Sequence, residues 1–155
     1  TVLQHPVPEV FADPDKVHEV LLNLVGNALK FTFPGGTITV DFFTDGKMVE
    51  VAVKDNGAGI SKEDLGRLFK KFGRLDNSYV AAATSGGTGL GLYISKSLIE
   101  LMKGRIWASS EGVNKGTTFT FSLPVASREV LSQAQKYTVK PKYGSDAKGL
   151  EPVAI

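Results

Sequence analysis

Three features of the 155-residue sequence predict a two-layer α/β sandwich, with a mixed, mostly antiparallel sheet packed against about three helices. A long amphipathic stretch follows Asp13-Pro14, a hairpin-like pair of strands comes directly after it, and two further strand-like segments lie behind a second long helical stretch. No β-helix-β spacing supports a doubly wound dinucleotide fold.

Each element has a local reason. Asp13-Pro14 pairs a side-chain cap with a proline at the first helical position. Val17, Val20, Leu21, Leu24, Val25, Ala28 and Leu29 then mark a wide apolar helical face. The helix is expected to run to about Phe31 and stop before Pro34-Gly35-Gly36. Residues 37–44 and 47–54 are rich in β-branched and aromatic side chains, and Asp45-Gly46 between them is a hairpin turn signal. Ser61 opens a short helix through Leu65, Leu68 and Phe69. Residues 73–87 carry small and polar residues without periodicity and read as a loop. A second long helix is expected from about Thr88 to Met102, ended by Gly104, with strands over 105–110 and 117–124. The domain is expected to occupy 1–125. Residues 126–155 read as a flexible tail or linker with a short helix at its start.

Composition narrows the function classes. At 42% hydrophobic and 22% charged, the chain has the make-up of an ordinary soluble domain. No apolar run approaches the ~20 residues of a membrane helix, and no signal-peptide order appears. With no cysteine, thiolate chemistry and disulfides are excluded, which is compatible with the cytoplasm. Of the 18 basic and 16 acidic residues, five and three fall in 126–155, which leaves thirteen of each sign before it. That balance gives no reason to invoke nucleic acid or direct membrane contact.

Three motifs carry chemistry. Asn23, Asn27 and Lys30 share one side of the first helix. They form either a solvated polar face or a set of amide oxygens and an ammonium for Mg²⁺ and phosphate, since magnesium needs few protein ligands. Asp55-Asn56-Gly57-Ala58-Gly59-Ile60 follows a strand. It is either an ordinary turn or a close-approach loop whose aspartate accepts a hydrogen bond from an amino group such as that of adenine. Gly86-Gly87-Thr88-Gly89-Leu90-Gly91-Leu92 opens the second long helix. It offers backbone N–H groups and a helix N-terminus to an anion, or else a hinge. It matches neither the P-loop nor the dinucleotide fingerprint.

In this order, the segments resemble the boxes of two-component sensor histidine kinases. Residues 13–32 resemble the N box, 68–76 the F box, 55–60 and 86–92 the two glycine boxes, and 115–124 the closing strand. The resemblance covers about residues 2–125 and implies the Bergerat (GHKL) ATP-binding fold. It implies ATP and Mg²⁺ as cofactors, with Asn27 on the metal, Asn23 beside the phosphates and Lys30 in contact with them. Asp55 would bind the adenine amino group, with Gly57 and Gly59 shaping the loop and Thr117 supporting through water. Ile60, Phe72, Leu90 and Phe121 would supply apolar walls. Residues 73–87 would form an ATP lid, with Arg74 as a phosphate ligand and Gly87, Thr88, Gly89 and Gly91 at its hinge.

The gyrase-like members of the fold carry a water-activating glutamate four residues before the metal asparagine. Here that place is Asn23, which favours phosphoryl transfer to a side chain over hydrolysis. The family's acceptor histidine sits in a run such as HE[LIF]RTP. This chain has only His5 and His18, neither in that setting, so the acceptor and the general base are expected outside it. The implied partners are ATP or ADP, the dimerisation and phosphoacceptor domain of the same kinase, and a response regulator. The parent protein could be membrane-anchored. A serine kinase of the same fold, such as an anti-sigma factor, and a degenerate nucleotide-binding module are the alternatives.

Overall fold

A computed structural model describes residues 8–71 and 89–126 and the backbone of 151–153. The elements run β1 (Val10–Ala12), α1 (Pro14–Phe31), β2 (Ile38–Thr44), β3 (Met48–Asp55), α2 (Lys62–Leu65), α3 (Gly91–Leu101), β4 (Arg105–Ser109), β5 (Thr118–Pro124) and β6 (Glu151–Val153). Four strands form one sheet in the order β2-β3-β5-β4. All three of its pairings are antiparallel. With three described helices, this is the predicted two-layer arrangement.

The local signals act as the sequence suggests. Asp13 Oδ1 accepts from the N–H groups of Asp15 (3.0 Å) and Lys16 (3.2 Å), capping α1. At the far end Thr32 N–H bonds back to Ala28 O at 3.0 Å and the chain turns extended. Asp45 Oδ1 accepts from Lys47 and Met48 N–H in the β2–β3 turn, where Gly46 takes φ +83°. Ser61 Oγ accepts from Asp64 N–H at the start of α2.

The core lies between one sheet face and the helices. Alternate residues of β3 (Val49, Val51, Val53) and β5 (Phe119, Phe121, Leu123) point to the same side. They pack with Val17, Val20, Leu24 and Ala28 of α1 and Ile99 of α3. Burying one such side chain contributes about 1.5–3 kcal/mol. Asp55 continues this alternation at the end of β3, so the core-facing register of the strand delivers its carboxylate to the buried side.

Two features were not foreseen. β1 pairs with β6, Val10 opposite Val153, so residues 151–153 of the expected tail form a strand. Val10 also bridges Val125, and Ala126 N–H bonds Glu9 O at 2.8 Å. The chain therefore enters α1 and leaves β5 side by side. The rest of 127–155 lies outside the described residues, including the expected short helix.

The end of α3 also departs from expectation. The left-handed residue is Lys103 at φ +62°, and Gly104 N–H reaches back to Ile99 O at 2.9 Å. Gly104 is small for another reason: a Cβ there would run into Ser122 O of β5. Left-handed backbone costs a non-glycine residue about 1–2 kcal/mol, offset in part by the unfolded-state freedom of glycine. Lys103→Gly is therefore expected to stabilise the domain by about 0.5–1 kcal/mol. A rise in the urea midpoint at constant slope would show it.

Candidate functional site

The 55–60 loop is built around one carboxylate. Asp55 is only 3% exposed. Its Oδ1 accepts from Gly57 N–H at 2.9 Å and Thr117 N–H at 3.3 Å. No other hydrogen bond among the described residues uses Oδ2. Burial pushes the Asp55 carboxyl above the usual aspartate range, and the two backbone donors oppose that shift. Thr117 is buried, and its carbonyl accepts Asp55 N–H at 2.9 Å, so strand pairing and the side-chain bond fix the same residue.

The two glycines are sterically required. A Cβ on Gly57 would strike Phe31 O at the end of α1. Gly59 sits at φ +63° with Gly112 O where its Cβ would be. Both contacts are with backbone, which cannot rotate away. Ile60 is buried, at 8% exposure, and belongs to the core.

The β4–β5 connection holds the other side of this loop, and sequence reading did not single it out. Asn114 N–H bonds Ala58 O (2.7 Å) and Gly116 N–H bonds Gly57 O (3.1 Å). Ser110 Oγ accepts from Ile60 N–H at 3.0 Å. These are mostly backbone bonds, which leave little trace in side-chain identity. Gly116, at φ +72° with Asp55 O in the place of its Cβ, is a position where the sequence carried a signal.

α1 joins the other motifs. Ala58 N–H bonds Phe31 O at 2.9 Å, so the end of α1 touches the 55–60 loop. Asn27 and Lys30 lie within the turn before that contact, Asn27 half-buried and Lys30 exposed. The Asn27 amide makes no hydrogen bond among the described residues, and Lys30 Nζ stands 5.5 Å from the Phe31 ring centre. One turn earlier, Asn23 Nδ2 donates to the buried Ser95 Oγ of α3 at 2.9 Å. Asn23 Oδ1 occupies the space that a Cβ on Gly91 would need. Asn23 thus braces α1 against the first turn of α3. Gly89 takes φ +68°, and Leu90 caps α3 with no side-chain bond, so no side chain from the cap satisfies its first N–H groups.

The site residues so placed are Asn23, Asn27, Lys30, Asp55, Gly57, Gly59, Ile60, Gly89, Leu90, Gly91 and Thr117. Phe72, Arg74, Gly87 and Thr88, and with them the expected lid over 73–87, lie outside the described residues, as does His5. Phe121 is fully buried in the core and presents no surface to a ligand. His18 is exposed on α1. Among the described residues no group of three or more His, Cys, Asp or Glu side chains could hold a metal. No described helix is long and apolar enough to cross a membrane.

A two-layer sandwich with a buried strand-end carboxylate, a glycine loop and an asparagine helix defines a class of nucleotide-binding domains. Residues 12–127 match the histidine kinase-, DNA gyrase B- and HSP90-like ATPase family. The chain belongs to that family, as an ATP-binding domain of the histidine kinase type. It is 44% identical over 115 residues to the sensor histidine kinase WalK of Bacillus subtilis, 72% of this chain and 18% of that protein. It is 38% identical over 120 residues to the adaptive-response sensory kinase SasA of Synechococcus elongatus, 77% of this chain and 30% of that protein. The crystal structure of full-length ShkA in complex with AMPPNP matches with a TM-score of 0.64 at 32% identity, over 79% of this chain and 24% of that one. The chain thus spans under a third of the length of these relatives.

Proposed function

We propose that this domain binds Mg·ATP along α1 and, within a longer protein, presents the γ-phosphoryl group to a histidine on a separate dimerisation domain, for relay to a response regulator. The observation that carries this reading is the convergence on α1: its end touches the 55–60 loop and its middle touches the start of α3. Base-binding and phosphate-binding motifs thereby share one rigid element.

Asp55 would accept from the adenine amino group, with Gly57 and Gly59 allowing the base close to the backbone. The N–H groups at the start of α3 and the Lys30 ammonium would face the phosphates. The half-buried Asn27 amide, without another described partner, fits a magnesium ion that takes one protein oxygen and completes its shell with water and phosphate. Bound there, the ion would neutralise phosphate charge. The chain's own part is to position the nucleotide and to exclude a hydrolytic base. Asn23 has no basic atom, and its amide nitrogen is committed to Ser95. Catalysis would rest on positioning and charge, as phosphoryl transfer does in general.

Calorimetry tests the pocket. Wild type is expected to bind ADP more tightly with Mg²⁺ than with EDTA, and Asn27→Ala is expected to remove most of that difference while retaining metal-free binding. No binding at all, or an unchanged metal effect in Asn27→Ala, would overturn the site reading. Mixing the domain with a histidine kinase hairpin and labelled ATP should give an acid-labile phosphohistidine; acid-stable phosphoserine would point to the serine kinase alternative.

A further inference from the structure

The Ser110 hydroxyl is a small hub that neither the glycine boxes nor the N box accounts for. It lies half-buried just beyond β4 and donates to Gly116 O at 2.7 Å, with Gly112 O as a longer alternative acceptor at 3.2 Å. It accepts from Ile60 N–H at 3.0 Å and from Gly112 N–H at 3.3 Å. One donor and two acceptor sites are the whole capacity of a hydroxyl, and all are used within the protein. The hydroxyl is thus not offered to a ligand.

Its partners explain what it does. Ile60 ends the 55–60 loop, Gly116 precedes the Thr117 whose N–H holds Asp55, and Gly112 O stands against Gly59. One side chain therefore ties the start, middle and end of the β4–β5 connection to the far end of the base-binding loop. Asn114 and Gly116 add backbone bonds to Ala58 and Gly57, but Ile60 N–H has only Ser110 as its described acceptor.

We infer that Ser110 is a positioning residue for base recognition: its hydroxyl sets the distance between the 110–116 connection and the 55–60 loop, and so the place of Asp55 and Gly59 against a purine. The inference rests on the proposed role of Asp55. It predicts a defect confined to the base. Asn27 and Lys30 sit on α1 and do not touch Ser110, so the metal-dependent part of binding should persist.

The test is competition of ADP and IDP against a fluorescent ADP analogue, with and without Mg²⁺, at a temperature where circular dichroism shows each variant folded. Ser110→Ala is expected to weaken ADP about tenfold and to lower the ADP-to-IDP preference, with the Mg²⁺ effect unchanged. Ser110→Thr, which keeps the hydroxyl, should restore both. Should the alanine variant fail to fold, Ser110→Cys carries the same comparison with a weaker donor and acceptor. Unchanged ADP binding in Ser110→Ala would overturn the inference, as would equal losses for ADP and IDP or failure of threonine to rescue. Asp55→Asn, run alongside, separates the two levels. If Asp55→Asn binds ADP normally, the site reading itself falls. If it loses ADP while Ser110→Ala does not, only the role of Ser110 is lost.

Discussion

Asp55→Asn is expected to cut ADP affinity by roughly 10- to 100-fold, the 1–3 kcal/mol of a mismatched buried polar group, while leaving the empty domain at least as stable as wild type. The direction follows from the two backbone donors. Gly57 and Thr117 N–H both point at Oδ1, so an asparagine must place its carbonyl oxygen there. Its NH₂ then takes the place of Oδ2 and meets the adenine amino group, donor against donor. A 6-oxopurine offers an acceptor at that position, so the ADP-to-IDP preference should reverse. Competition binding of the two nucleotides would show whether it does.

The stability half has a definite sign. Burial raises the Asp55 carboxyl above its usual range, so the folded state holds its proton more tightly than the unfolded chain does. Between the ordinary aspartate pKa and the raised folded one, the folded state binds more protons, and wild-type stability falls as pH rises. Above that window the ionised carboxylate is present at its full penalty. Asp55→Asn has no such dependence, so its advantage should be absent in acid and grow to a plateau toward neutral pH. Urea titrations at several pH values measure this. A variant less stable than wild type at pH 7 would mean that the ionised carboxylate gains more from its donors than it loses by burial.

Gly59→Ala is expected to damage both fold and binding, through two separable effects. The left-handed φ of +63° costs an alanine about 1–2 kcal/mol. In addition, its Cβ would displace Gly112 O and with it the connection that bonds Gly57, Ala58 and Ile60. Gly46→Ala is the matched control: its φ is +83°, yet nothing lies within 4 Å of its Cβ position. Both variants should lose stability from backbone strain. Only Gly59→Ala should lose a further increment and at least tenfold in ADP affinity. Equal effects on melting and binding would show that strain alone is at work.

Local signals made much of this legible beforehand. Asp13-Pro14 places the start of α1 and Asp45-Gly46 the first hairpin, because caps and tight turns are chemistry between neighbours in sequence. Asn27, Asp55 and the glycines stood out through the order and spacing of their motifs. What escaped notice depends on distance or on backbone. β1 and β6 have three residues each and form only by pairing with each other across the chain. The 110–116 connection acts mainly through N–H and C=O groups that every residue has. The family resemblance puts Asn23 beside the phosphates, but its bond to Ser95 spans 72 positions and left no local trace. Phe121 looked like a pocket wall, but β5 pairs centrally in the sheet and its core-facing register buries the ring.

The side-by-side entry and exit of the chain at Val10 and Val125 has a consequence for evolution. A unit whose ends are neighbours can be spliced between other segments without pulling them apart, much as a bead is threaded through a single hole. A segment joined at Val10 or Val125 would therefore begin at one shared seam, and it would have to accommodate the β6 strand already paired with β1.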